Sequence, residues 1–108
     1  MTAKEYVQQI EKLDAIIRNK ATEIRLAGSL GIDASVAKNE RQQAINTRQG
    51  IIDNMQKLAA VNYDVLHKIY VQGATLYEVA SDMGKSYSYV TKLHGWALQA
   101  LSKIINER

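Results

Sequence analysis

Residues 75–101 read TLYEVASDMGKSYSYVTKLHGWALQAL, and the fold turns on how this stretch is punctuated. Thr75 and Glu78 stand three apart before an apolar run, the spacing of a capping box that opens a helix. Leu76, Val79, Ala80 and Met83 then recur at helical intervals, and Gly84 breaks the run. Ser86 is placed to cap a second, longer helix that continues to about Asn106, with Val90, Leu93, Ala97, Leu101, Ile104 and Ile105 on its inner face. Two helices that cross steeply need a small residue at the contact and a glycine at the turn. Ala80 and Gly84 fall where those needs arise, so the stretch predicts a helix-turn-helix. Such a motif lays its second helix in the major groove of DNA.

The outward face of that second helix supplies the candidate DNA-binding residues: Lys85, Ser86, Tyr87, Ser88, Tyr89, Thr91 and Lys92, with Gly95 as a further candidate. Lysines neutralise phosphates, and serine, threonine and tyrosine hydroxyls donate to them. From Lys85 to Lys103 the chain has lysines and no acid, so this helix is locally basic. Arg, Asn and Gln, the residues best shaped for paired hydrogen bonds to bases, are missing from its first turns. Lys92 is the foremost candidate for a base contact, followed by Tyr87 and Ser88. The same tyrosines would also serve as anchors in a protein-docking face, so both readings stand. Lys85 occupies a position where an apolar residue commonly packs, and its methylene stem is expected to lie over the core. Trp96 is expected to pack against an N-terminal helix or a second subunit.

Upstream, Asn62–Gln72 is expected to form the first helix of this unit, capped by Asn62 and stopped by Gly73. Its core face is Val65, Leu66, Ile69 and Tyr70, with His67 at the surface. The N-terminal portion reads as a helical hairpin. A first helix opens at the Thr2–Glu5 capping box and carries Tyr6, Ile10, Leu13, Ile17 and Ile24 at steps of three and four. It is expected to end near Ala27, before Gly28, Ser29 and Gly31. A second opens at Asp33 and runs to about Ala60, with Gly50 inside it. Two helices alone cannot bury both apolar stripes, so the hairpin must pack on the C-terminal unit or on another copy. The expected architecture is all-α: a hairpin over residues 1–61 for oligomerisation or partner docking, then a three-helix helix-turn-helix domain over residues 62–108.

The composition agrees. The 108 residues include no proline and no phenylalanine, which favours long helices. A net charge of +3 permits a polyanionic partner without demanding one. The absence of cysteine excludes disulfides, cysteine-held zinc and thiol catalysis. There is no pairing of nucleophile and base, no phosphate loop and no metal-ligand spacing, so neither an enzyme nor a cofactor is expected. No apolar run approaches the length of a membrane span, and the N-terminus lacks a signal peptide's apolar segment. The expected setting is cytoplasmic.

Residues 63–104, YDVLHKIYVQGATLYEVASDMGKSYSYVTKLHGWALQALSKI, resemble region four of the sigma-70 factors, the module that reads the −35 promoter element. The whole chain resembles the short phage and prophage transcriptional regulators of the RinA and ArpU types. TAKEYVQQIEKLDAIIRNK at 2–20 and YVTKLHGWALQAL at 89–101 carry that resemblance. It implies a non-catalytic, sequence-specific DNA-binding regulator whose partners are double-stranded DNA and, through the hairpin, RNA polymerase, with a homo-oligomer, a dimer favoured. Sigma factors place polar and charged residues at the positions of Tyr87, Ser88, Tyr89, Thr91 and Lys92, and most of those charges are absent here. The alternatives are a small DNA-packaging protein like a terminase small subunit, and a protein that grips polymerase or a sigma factor without touching DNA.

Overall fold

The computed structural model describes residues 1–106 and contains helices and no strand among them. Five α-helices follow one another: α1 (Ala3–Leu30), α2 (Ser35–Met55), α3 (Ala60–Leu66), α4 (Leu76–Met83) and α5 (Tyr87–Asn106). A wider π-helical turn, His67–Val71, extends α3. α1 and α2 pair as an antiparallel hairpin, and the molecule measures 54 × 35 × 20 Å along its principal axes. No helix of the described residues is long and apolar enough to cross a membrane.

Local chemistry explains most boundaries. At the start of α1 the Thr2 hydroxyl accepts from Glu5 N–H at 3.1 Å, while Glu5 accepts from Thr2 N–H at 3.0 Å. Hydrogen bonding from the Thr2 backbone N–H, and then from its hydroxyl, holds the Glu5 carboxyl below its usual pKa. α1 runs past the expected stop at Ala27 and ends at Leu30. A helical glycine such as Gly28 costs only about 1 kcal/mol, too little to end a long helix. The true stop is Gly31, whose left-handed backbone (φ 66°) lets Ile32 N–H reach Ala27 O at 2.8 Å.

α2 starts at Ser35, two residues later than expected. The Asp33 carboxylate accepts from both the hydroxyl and the backbone N–H of Ser35, so it organises the turn from just outside the helix. Both bonds lower its pKa. α2 also stops early, at Met55. A turn over 56–59 seats Leu58 in the core, and α3 begins at Ala60 without a side-chain cap, so the expected cap Asn62 lies inside α3. Burial of Leu58 took precedence over a polar start.

Two buried clusters meet at α3. One joins Ala3, Val7 and Ile10 of α1 and Ile51, Ile52 and Met55 of α2 to Leu58, Leu66, Ala97 and Leu101. The other holds α4 onto α5 through Val65, Val79, Ala80, Val90 and Leu93. Val65 faces one cluster and its neighbour Leu66 the other, so α3 is the wall they share. The root of the hairpin is thus buried against the C-terminal helices, one of the two solutions open to its apolar stripes. Polar contacts tie the hairpin along its length: Asn54 to the Tyr6 hydroxyl at 2.7 Å, Arg48 to Asp14 at 2.7 Å, and Lys20 to Glu40 at 3.2 Å.

A second polar joint lies between the π-helical turn and α5, beside the start of α1. The Tyr70 hydroxyl and His94 Nε2 are 2.7 Å apart, with the two rings stacked at 5.8 Å. Burial lowers the His94 pKa, helped by the nearby Lys4 ammonium, and burial raises that of Tyr70. His67, expected at the surface, is half-buried and stacks on Tyr63 at 5.3 Å.

Candidate nucleic-acid interface

α4 is set by the same device as α1. Thr75 and Glu78 exchange two hydrogen bonds of 3.1 Å, and Gly84 closes the helix in the left-handed region (φ 65°). Lys85 N–H then reaches Ala80 O at 3.0 Å, which fixes the direction in which the chain leaves. Ser86 Oγ accepts from Tyr89 N–H at 3.1 Å and caps α5. With Val90 wholly buried and Leu93 nearly so, the inner face of α5 is locked against α4 and α3. The helix-turn-helix geometry expected from residues 75–101 is present throughout.

All seven candidate residues, Lys85, Ser86, Tyr87, Ser88, Tyr89, Thr91 and Lys92, lie on the exposed side of the turn and of α5's first turns. At about 100° of rotation per residue, Ser88, Lys92 and Gly95 fall along the middle of that face. Tyr87 and Thr91 fall toward one edge and Tyr89 toward the other. Ser88 and Gly95 therefore leave the middle of the face low on either side of the long Lys92 side chain, and tyrosines stand toward its edges. A Cβ built on Gly95 would meet nothing within 4 Å, so packing inside the chain does not require glycine there. The Thr91 hydroxyl donates to Tyr87 O at 2.9 Å, turning one polar group back onto the helix.

Three side chains differ from expectation or were not anticipated. The Lys85 stem does not cover the core: the residue is exposed, and Nζ sits 5.9 Å from the centre of the Tyr89 ring, held by the ring's negative face. Trp96 is 53% exposed and is not packed against an N-terminal helix, which leaves a second subunit as the cover open to it. α1 instead covers Ala97 and Leu101, which point about 100° or more away from Trp96 around α5. Tyr77 on α4 was not singled out from sequence, yet its ring stacks on that of Tyr87, with centroids 4.2 Å apart and planes at 16°. Its position one residue outside the α4 core stripe marks it as exposed. Nothing in the spacing links it to a residue ten positions away.

No protein-family model matches the chain, and no solved structure matches it. Among curated proteins, the chain is 29% identical over 82 residues to one described as RNA polymerase sigma factor SigO, from Bacillus subtilis (strain 168). The aligned segment takes in 73% of this chain and 47% of that protein. The chain is distantly similar to a sigma factor. It spans about half the length of that curated relative.

Proposed function

We propose that the protein binds double-stranded DNA through α4 and α5 and regulates transcription, in the manner of a short phage-type regulator built on a sigma region-four-like module. The observation that carries this reading is the outward face of α5. It is polar and basic, free of acids, and presented by a helix whose opposite face is fully buried. A helix held in this way is rigid enough to read a groove. Similarity to a sigma factor favours the same class of partner. In this reading Lys85 and Lys103 neutralise phosphates, while Ser88 and Lys92 face the bases between rims made by Tyr87 and Tyr89. The hairpin root holds the module, and its outer part is available to RNA polymerase or to a second copy of the chain.

Selection of bound duplexes from a random pool, followed by titration of the enriched sequence, tests this. An enriched motif is expected, with affinity falling on a log–log salt plot by about 0.9 per phosphate neutralised. Lys85→Ala should reduce that slope by about one, while Lys92→Ala and Tyr87→Ala should lower discrimination against random duplex without reducing helicity. Absence of an enriched sequence, or discrimination unchanged by Lys92→Ala, sinks the assignment of this face. One observation favours protein docking instead: Tyr77, Tyr87, Tyr89 and Trp96 are all at least 40% exposed. Retention of RNA polymerase by the protein with no retention of DNA would decide for that reading.

A further inference from the structure

Tyr77 is 70% exposed, the most exposed of the aromatic side chains, yet its ring is not free. It lies nearly parallel to Tyr87 at 4.2 Å, within the range of a favourable offset stack. The two residues belong to different helices of the motif. Tyr77 sits in the first turn of α4, where the Thr75–Glu78 capping box fixes the backbone on both sides of it. Tyr87 is the first residue of α5, at a helix end, where a long side chain has several staggered positions open to it. The stack selects one of them.

Resting on the DNA-binding reading above, we infer that Tyr77 is a positioning residue for recognition. Its ring holds Tyr87 in one orientation at the edge of the exposed face of α5, so that the pair sets the sequence preference at one end of the bound site. Three features support this. The stack joins the two helices that a helix-turn-helix sets against the duplex, one across the backbone and one in the groove. It lies on the solvent side of the motif, away from both buried clusters, so it is not needed to close the core. Tyr87, the residue it holds, borders the midline on which Ser88 and Lys92 stand. The contribution of Tyr77 passes through its ring face, not through its hydroxyl, which separates Ala from Phe as replacements.

The experiment measures affinity for the selected duplex and for a random duplex of equal length, and takes the ratio, for wild type and for Tyr77→Ala, Tyr77→Phe, Tyr87→Ala and the Tyr77→Ala/Tyr87→Ala double variant. Tyr77→Ala should lower the ratio about fivefold, in line with the loss of one aromatic stack. Tyr77→Phe should keep it within about twofold of wild type, because the stack survives. The double variant should be no worse than Tyr87→Ala alone, since Tyr77 acts only through Tyr87. An unchanged ratio in Tyr77→Ala, or losses that add in the double variant, overturns the inference while leaving DNA binding intact. Wild-type protein that discriminates no sequence overturns both it and the reading on which it rests. Thermal unfolding of each variant, expected to stay cooperative with a midpoint within about 10 °C of wild type, keeps a folding defect from counting as either result.

Discussion

The two ends of the helical hairpin both carry large apolar residues, and these meet different fates. At the root, Val7, Ile10 and Met55 are wholly buried, because Leu66, Ala97 and Leu101 form a third layer over them. At the tip, Leu26, Leu30, Ile32 and Val36 remain 52–72% exposed, because only α1 and α2 are present there. Two helices have one line of contact, and any apolar residue off that line needs a third element to cover it. Burial along the hairpin therefore measures how far the C-terminal helices reach, more than how apolar each position is.

The largest expected effect tests that contrast directly. Ile10→Ala should destabilise the protein by about 2–5 kcal/mol in denaturant unfolding, the usual cost of emptying a buried branched position. Leu30→Ala should stay within about 0.5 kcal/mol. A substantial loss from Leu30→Ala in dilute protein would show that the tip is covered after all, and the contrast would collapse.

A second pair of variants compares the turn of the C-terminal module with the hairpin. Gly84 has φ 65°, so Gly84→Ala forces a side chain into the left-handed region and should cost about 1–2 kcal/mol. Gly50 is helical, and a Cβ there would touch nothing within 4 Å, so Gly50→Ala should raise stability by about 0.4–1 kcal/mol. Chemical denaturation of both variants checks the opposite signs. Equal signs would mean that Gly50 serves a contact outside the chain.

The smallest effect concerns the joint between the two regions. Burial and Lys4 lower the His94 pKa in the folded chain, so below about 6.5, the ordinary imidazole value, the unfolded chain binds more protons than the folded one. Stability should then be greatest above that pH and decline as the pH falls toward the folded-state pKa. Glu5 and Asp33, whose carboxyls are also held low, add a further decline at still lower pH. His94→Gln should flatten the first decline and leave the second. A slope unchanged between about pH 7 and 5 would remove His94 from the account.

Residues 75–101 were legible because each boundary there is written locally: a hydroxyl three residues before a carboxylate, a glycine that must turn left-handed, a serine that caps. The reading failed where tertiary packing outweighed such signals. Asn62 looks like a cap and is not one, because burial of Leu58 pulls the start of α3 back to Ala60. Gly28 looks like a stop and is not one, because a single helical glycine is inexpensive in a helix of 28 residues. Trp96 could not be placed from its own helix, since the path of α1 across α5 decides which residues are covered. The positions of the seven candidate interface residues followed from helical phase alone. The Tyr77–Tyr87 stack did not, since it depends on the angle between two helices.

The wide turn at His67–Val71 carries a consequence of its own. There Gln72 N–H bonds to His67 O, five residues back, where an α-helix would reach back four. The hydrogen-bonded loop there holds one residue more than an α-helical turn, at nearly the same total rotation about the axis of α3. The extra residue is thus absorbed within the widened turn, and the direction in which the chain leaves toward α4 is kept. Removing one residue from the segment should let it close as an α-helical turn with that exit preserved.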